Sequence, residues 1–289
     1  MKKIIAVSLI VIMVMVVLAG CQTGSSVQSP QEEASDSNKY NDGVYVAIQD
    51  AYSRSGWKYH VAITVENGEI IDAVWNALNR VPADDKWTQS VNGTYGMVAF
   101  SEAQSEWHEQ AQKTIDYLIE MQTPNPGDGF YLEDNSKTDA IAGVTISVSD
   151  FFVLADMALS SEPISSGPFT DGTPFVSLDP DDKGWQYMAQ FVVVNGTIID
   201  ANYNAQSIND VDDAGKPVDK KGLGYDYGMK EIAGSTLEWF EHAALIESYI
   251  VENQNFDINY LNERGNTDTI AGVTIAVNQI DSLFSKAFD

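Results

Sequence analysis

One segment of this chain occurs twice in nearly the same form. Residues 138–148 read TDAIAGVTISV, and residues 267–277 read TDTIAGVTIAV. The two copies lie about 130 residues apart, whereas a solenoid unit recurs every ~20 to 50 residues and has no core of its own. The spacing therefore predicts a duplicated domain that carries one site in each copy.

The N-terminus has the pattern of a secreted lipoprotein. Lys2 and Lys3 precede an unbroken apolar run, residues 4–17, which is followed by Leu-Ala-Gly and then Cys21. The run is short and lacks a basic stop-transfer flank, so it predicts a signal peptide over residues 1–20 rather than a membrane span. The tetrad resembles the bacterial lipobox, which implies that Cys21 is lipidated. Cys21 is the only cysteine of the chain, so no intramolecular disulfide can form.

The segment that follows and the overall charge restrict the partners of the protein. Residues 21–41 are mostly Ser, Gln, Glu, Thr and Gly, which cannot bury enough apolar surface to offset the entropy of ordering, so we expect a flexible tether. The formal net charge is −26. Such acidity disfavours nucleic acid and anionic lipid as partners. We expect a protein held at the cell membrane by its lipid anchor, on the extracellular side.

Paired hairpin signals predict that each copy begins as antiparallel sheet. An Asn-Gly pair follows a β-branched run at Asn67 and again at Asn195, which is the strongest short-range signal for a tight hairpin. The predicted boundaries are a first domain over residues 42–160, a Ser- and Pro-rich linker over residues 161–168, and a second domain over residues 169–289.

A long helix is predicted after the sheet in each copy. Apolar residues recur at three- and four-residue steps over residues 101–121, and again over residues 237–250. Ser235, with Glu238 three residues later, has the form of a capping box that would start the second of these helices. Each copy is therefore expected to be α+β, an antiparallel sheet with packed helices.

The repeated segment has features that suit a phosphate. An aspartate, Asp139 or Asp268, is followed by apolar residues, a glycine, and then Thr145 or Thr274. We expect the segment to join a strand to a helix, and glycine there permits a backbone conformation or a close approach that a side chain forbids. Unpaired N–H groups at the helix start would attract a phosphate, and the threonine hydroxyl could hydrogen-bond it or be esterified to it. The alternative interpretation is a tight structural turn beside a buried strand.

At these residues the sequence resembles the FMN-binding domain family, which includes the flavin-bearing subunit of sodium-pumping NADH:quinone reductase and flavin lipoproteins of extracellular electron transfer. The attachment motif of that family runs Asp-x-x-Ser-Gly-Ala-Thr-Ser/Thr. Both copies depart from it, because alanine replaces the serine, valine replaces the alanine, and isoleucine follows the threonine. The candidate cofactor-binding residues of the motif are Asp139, Gly143, Val144 and Thr145 in the first copy and Asp268, Gly272, Val273 and Thr274 in the second.

The resemblance implies a tandem pair of FMN-binding-type domains with two FMN groups, each joined to its threonine through a phosphoester by a flavin transferase. The protein would be the substrate of that transferase, and an electron-transfer flavoprotein rather than a turnover enzyme. It would relay electrons from a membrane quinone-linked donor to extracellular electron acceptors. Aromatic and thioether side chains suit a planar ring, and the candidates are Tyr95, Met97, Tyr227 and Met229.

Other chemistries find less support in the sequence. No nucleophile elbow, P-loop or dinucleotide fingerprint occurs, so no catalytic residue is predicted. His60, His108 and His242 do not fall at equivalent positions and no cysteine accompanies them, so no metal site is predicted. His108 and His242 are expected to face solvent. The alternative function is a non-catalytic ligand-binding or adhesive surface lipoprotein without a cofactor, whose signal peptide could also be a pheromone precursor.

Overall fold

The computed structural model describes residues 39–133 and 136–289. The predicted signal peptide, the lipidation site Cys21 and nearly all of the predicted tether lie outside the described residues. The described residues form one compact unit. Within the described part of the chain, every helix is too short or too polar to span a bilayer.

The fold is α+β, with two antiparallel sheets that each pack against helices. The first sheet has three strands in the order β1-β2-β3, and the helices α3 and α4 cover it. The bounds of this first group are β1 (Gly43–Ile48), β2 (Trp57–Glu66), β3 (Glu69–Asn79), α1 (Lys86–Val91), α2 (Met97–Phe100), α3 (Trp107–Met121) and α4 (Ser149–Leu159).

The second group follows the same order, with one additional short strand on the far edge of its main hairpin. Its sheet has four strands in the order β4-β5-β6-β7, and α7 and α8 pack against it. The bounds are β4 (Phe175–Ser177), β5 (Trp185–Val194), β6 (Thr197–Val211), β7 (Pro217–Asp219), α5 (Lys220–Leu223), a 3₁₀ helix (Gly224–Tyr227), α6 (Met229–Ala233), α7 (Trp239–Asn253) and α8 (Asn278–Phe288).

Both predicted hairpins are confirmed. Asn67 and Asn195 have φ values of 55° and 51°, and the glycines that follow them also have positive φ. Two successive residues with positive φ are what a type I′ turn requires, and asparagine and glycine adopt that conformation at the lowest cost. The antiparallel pairs β2–β3 and β5–β6 therefore form where the sequence indicates.

The predicted capping box at Ser235 is wrong. Helix α7 begins at Trp239, and its capping box consists of Glu238 and Glu241. Ser235 instead belongs to the loop after α6, where Gly234 adopts a left-handed conformation that ends the short helix. The Ser-x-x-Glu pattern at Ser235 does not start a helix, because Gly234 ends α6 directly before it and α7 begins only after Glu238.

Each long helix is fastened to its sheet by a glutamine at its C-terminus. Gln122 ends α3 in a left-handed conformation, and its side-chain amide exchanges two hydrogen bonds of 2.8 Å with the backbone of Ile70. Gln254 makes the same pair with Ile198 at the end of α7. The glutamine side chains thus provide hydrogen-bond partners for the backbone N–H and C=O groups of Ile70 and Ile198, which would otherwise be unpaired.

The two groups are joined by partly buried polar contacts. Lys58 pairs with Asp200 at 2.9 Å, and Asn202 donates to the carbonyl oxygen of Asn79 at 2.7 Å. The predicted linker lies against the first sheet, because Ile164 donates its amide to the carbonyl of Val44.

One buried histidine gives this fold a specific acid sensitivity. His60 on β2 is 2% exposed, and burial lowers its pKa to about 4, with Asp200 and Asp85 raising it and Lys58 lowering it further. In the unfolded chain the pKa returns to ~6.5. Between these values the unfolded chain binds more protons, so stability is lost as the pH falls through this window.

We therefore expect His60→Met to reduce the acid destabilisation by up to ~3 kcal/mol between pH ~6.5 and ~4. Methionine is the residue at the equivalent position of β5, Met188, which is also buried. Urea unfolding of wild type and variant at several pH values measures the difference. An unchanged slope of stability against pH would contradict the assignment.

Candidate functional site

The repeated segment forms the same tight turn in both groups. Val144 donates its amide to the carbonyl of Ile141 at 3.2 Å, and the glycine between them has φ of +76°. In the second copy Val273 donates to Ile270 at 3.1 Å, and Gly272 has φ of +84°. A positive φ at the third position is what a type II turn demands, which explains the glycine. The strand that the sequence predicts before the first turn is absent, and residues 136–148 contain no strand.

The two candidate threonines are exposed, and each lies beside a buried side chain of the long helix. The hydroxyl of Thr145 donates to Oε1 of Gln110 at 3.3 Å, and its amide donates to the same oxygen at 2.7 Å. The hydroxyl of Thr274 lies 3.3 Å from Nε2 of His242. Gln110 and His242 both follow the first tryptophan of their helices by three residues. The helix side chain therefore orients the hydroxyl in each copy, with a different chemical group.

The remaining motif residues divide into anchors and surface groups. Val144 and Val273 are each 5% exposed and belong to the two hydrophobic cores, whereas Asp139 and Asp268 are exposed. The turn is thus held by its valines while the threonine side faces outward.

The glycine of the turn has different neighbours in the two copies. A Cβ added at Gly143 would lie 2.8 Å from Nζ of Lys113, and one at Gly272 would lie 3.2 Å from Cδ1 of Leu245. An ammonium group therefore lies beside the first turn, and an aliphatic side chain lies beside the second.

The amides at the start of the following helix are already bonded. Val148 and Ser149 both donate to the carbonyl of Ser136, and Val277 donates to the carbonyl of Gly265. These donors, which the sequence suggested for a phosphate, are engaged with the protein backbone.

The expectation that His242 faces solvent is wrong. The imidazole is fully buried, and burial lowers its pKa, with Glu241 and the Gly272 backbone opposing that shift. The ring is therefore predominantly neutral near pH 7. His108 is half-buried, and its Nδ1 lies 2.9 Å from Oγ of Ser90. Across residues 39–133 and 136–289, no three His, Cys, Asp or Glu side chains group as metal ligands would.

The first group contains a buried lysine inside a cluster of aromatic rings. Lys86, the first residue of α1, is 3% exposed, and its ammonium donates to Oη of Tyr59 at 2.5 Å. The ammonium lies between 4.7 and 5.3 Å from four ring centroids. We call this cluster the first lysine box, and its rings are Trp57, Tyr59, Tyr95 and Trp107.

The second group contains the same arrangement. Lys220, the first residue of α5, is 3% exposed and donates to Oη of Tyr187 at 2.7 Å. Its ammonium lies between 4.5 and 5.3 Å from four ring centroids. The rings of this second lysine box are Trp185, Tyr187, Tyr227 and Trp239.

A buried aspartate positions each lysine. Asp85 is the N-cap of α1, and one of its oxygens accepts from Nδ2 of Asn76 at 2.7 Å. Asp219 is the N-cap of α5, and it accepts from Nδ2 of Asn204 at 2.8 Å. The asparagine of the sheet thus fixes the aspartate, which fixes the first turn of the helix and the lysine next to it.

Burial changes the acidity of both lysines. It lowers the pKa of Lys86 to about 7, with Asp150 partly opposing the shift. It lowers the pKa of Lys220 to about 8, with Asp181 opposing and Lys183 adding to the shift. Cation–π attraction of roughly 2 kcal/mol or more per desolvated contact compensates part of the lost hydration, but the described residues place no carboxylate within salt-bridge distance of either ammonium.

Neither lysine was among the sequence-predicted site residues. The signal was present, because the dipeptide Asp-Lys occurs at residues 85–86 and again at residues 219–220, at matching places in the two copies. Trp-x-Tyr also occurs twice, at residues 57–59 and 185–187. These residues are far from the lysines in sequence, so only the fold brings them together.

A cavity of about 370 Å³ connects the second lysine box with the repeated segment. Two predicted residues, Tyr227 and Met229, line it together with Lys220 and with Ile275, which directly follows the candidate threonine. Thr274 itself is not part of the lining. Aromatic and thioether walls with one cation suit a planar ligand that carries hydrogen-bond acceptors.

A second cavity, of about 400 Å³, lies directly on the first repeated segment. Asp139, Gly143, Val144 and Thr145 all line it, but Tyr95 and Met97 do not. Tyr95 instead closes the first lysine box at 5.9 Å from Trp57, and Met97 packs against the first core. The structure therefore brings the predicted motif residues together, and separately places the predicted aromatic residues around a lysine.

A glutamate holds each methionine loop; Glu106 is partly buried and Glu238 is buried. Glu106 accepts from the amides of Met97 and Val98 at 2.8 and 3.1 Å, while it also caps α3. Glu238 accepts from the amides of Met229 and Lys230 at the same two distances, while it caps α7. One carboxylate thus joins the N-termini of a short and a long helix, where the helix dipoles favour a negative charge.

Comparison with known protein families and with curated proteins returns no match. A solution NMR structure of a Clostridium thermocellum protein shares 49% identity over 41% of this chain and 89% of its own, with a TM-score of 0.33. A crystal structure of a Clostridium perfringens protein shares 23% identity over 42% of this chain and 87% of its own, with a TM-score of 0.32.

We expect Glu238→Ala to destabilise the protein by about 2–3 kcal/mol, because it removes a charged acceptor from two partly buried amides. The amides of Met229 and Lys230 should also lose protection from hydrogen exchange. Glu252→Ala, at an exposed position of the same helix, is the matched control and should change stability by less than ~0.5 kcal/mol. Equal effects of the two substitutions would show that Glu238 does not hold the methionine loop.

Proposed function

We propose that this protein is a flavoprotein electron carrier built from two tandem FMN-binding-type domains, with FMN esterified to Thr145 and Thr274. It is anchored to the cell membrane through Cys21 and faces the extracellular side. It receives electrons from a membrane quinone-linked donor and passes them to extracellular electron acceptors. The observation that carries the proposal is the doubling of one site: an exposed threonine, a glycine turn and a buried helix side chain occur together in both groups, and each group also contains an aromatic box.

The residues present fit FMN. The threonine hydroxyl is exposed on a rigid turn, so a flavin transferase can reach it. The cavity beside Tyr227 and Met229 has about 370 Å³ of space, within the range of small-molecule sites. When bound, FMN supplies a ring that takes up and releases electrons reversibly.

The protein's own residues have separate parts in this proposal. Gln110 and His242 hold the threonine hydroxyls from behind, and the valines of the turn keep the attachment points fixed. Lys113 places a positive charge beside the first turn, where it would offset the charge of a phosphate. Tyr227 and Met229, which line the cavity, would contact the flavin ring and exclude water from it.

The departures from the family motif do not remove any of these parts. Ala142 and Ala271 are exposed, so the missing serine hydroxyl would have lain at the surface of the turn. The valines that replace the motif alanine are buried in the cores. Both changes leave the acceptor hydroxyl accessible, which supports attachment in each copy.

The test is the mass of the mature protein after co-expression with a flavin transferase. We expect two FMN additions in wild type, one in Thr145→Ala, one in Thr274→Ala, and none in the double variant. Thr269→Ala is the matched control, since Thr269 is exposed and the first copy has Ala140 at that position, and it should retain both additions.

A colourless wild type without added mass would refute the proposal and favour the cofactor-free alternative, a ligand-binding or adhesive surface lipoprotein. Two FMN additions in the double variant would refute the threonines as acceptors. Flavin fluorescence on a denaturing gel distinguishes covalent from dissociable flavin.

A further inference from the structure

The two buried lysines have more hydrogen-bonding capacity than the protein uses. An ammonium group has three N–H donors and no acceptor. Among the described residues, Lys220 has one hydrogen-bond acceptor, Oη of Tyr187, and Lys86 has one, Oη of Tyr59. A buried cation with free donors and no counter-ion is costly, and its occurrence at matching positions in both groups points to a ligand.

The second lysine box shows where that ligand would lie. Lys220 lines the cavity of about 370 Å³ together with Tyr227, Met229 and Trp239. Ile275 and Ala276, the residues after the acceptor threonine, form another part of its lining. A group attached at Thr274 therefore has the cavity within its immediate surroundings.

The second box also has beside it a large apolar residue that the fold does not bury. Ile232 lines the cavity and is 85% exposed, and Phe100, at the equivalent position of the first group, is 82% exposed. Both belong to the short helix that follows the Tyr-Gly-Met sequence. An exposed apolar residue that lines a cavity next to a lysine is suited to contact the apolar part of a ligand.

We propose that Lys220 is a binding residue for the flavin ring, donating a hydrogen bond from Nζ to a ring carbonyl oxygen. The inference rests on the proposed function and identifies a residue that binds the ring. The lysine ammonium can only donate hydrogen bonds, so it favours a ligand with an acceptor atom. The aromatic rings that line the cavity favour a planar ligand.

Both lysines have a carboxylate in their wider surroundings. Asp150, the second residue of α4, raises the pKa of Lys86, and Asp181 raises the pKa of Lys220, where Lys183 lowers it. The second residue of α8 is Gln279, a neutral amide that lines the cavity of the second box.

Riboflavin is the probe that tests the lysine without the phosphate or the covalent bond. The mature chain is produced without a flavin transferase and titrated with riboflavin while quenching of flavin fluorescence is measured. We expect Lys220→Met to weaken binding in the cavity of the second group by about 10- to 100-fold, as for loss of a charged hydrogen bond. Lys230→Met is the matched control, because Lys230 pairs with Glu241 outside the cavity lining, and it should leave the affinity unchanged.

A conservative variant provides a second, independent readout. Wild-type affinity should fall as the pH rises through about 8, where Lys220 loses its proton. Lys220→Arg should keep its affinity to pH ~10, because arginine stays charged. The other ionisable groups around Lys220 are Asp181, Lys183 and the three tyrosines Tyr187, Tyr203 and Tyr227. Burial raises the pKa of each tyrosine, so the tyrosines remain protonated in this range.

The outcomes separate the two proposals. If wild type carries FMN mass at both threonines but Lys220→Met and wild type bind riboflavin equally, the lysine assignment is wrong and the proposed function stands. Absence of riboflavin binding by wild type also overturns the assignment. If the chain gains no FMN mass and binds no riboflavin, both proposals fail. Should Lys220→Met unfold, as judged by circular dichroism, the pH profile of Lys220→Arg decides: a profile identical to wild type overturns the assignment.

Discussion

Two buried aspartates are the contacts on which both candidate sites depend. Burial alone would raise the pKa of Asp85, but hydrogen bonds from Thr173, Thr88 and Asn76 outweigh it and leave the pKa lowered. Thr173 belongs to the second group, and Asp219 is in turn bound by Arg80 of the first group at 3.0 Å. Each carboxylate therefore joins its own sheet, its own lysine helix and the opposite group. The site geometry and the packing of the two groups are set by the same atoms.

The lysine boxes show how far aromatic rings can stabilise a buried charge. Four rings within about 5 Å stabilise the ammonium of Lys220, yet burial still lowers its pKa to about 8. A carboxylate partner would have stabilised the charge more fully but would also have satisfied its donors. The aromatic arrangement keeps the lysine cationic near neutral pH while it leaves donors free.

The sequence indicates local structure well and the sites only in part. Asn-Gly pairs located both hairpins, and apolar periodicity located both long helices, because these signals depend on neighbouring residues. The start of α7 at Trp239 and the burial of His242 depend on contacts between distant segments, and the local pattern predicted neither. Each lysine box forms only where strand β2 or β5 meets two helices. The repeated Asp-Lys pair therefore marks both lysines in the sequence but does not indicate which residues surround them.

The placement of the threonine on a turn anchored in the core has a consequence for binding strength. Val273 is buried while the hydroxyl of Thr274 is exposed, and Ile275 next to it lines the cavity. A group attached to that oxygen is confined to a small volume around a fixed point, so its effective concentration at the cavity is on the order of millimolar or higher. A cavity with weak intrinsic affinity would then remain filled, and its residues would be free to adjust the properties of the ligand rather than to retain it.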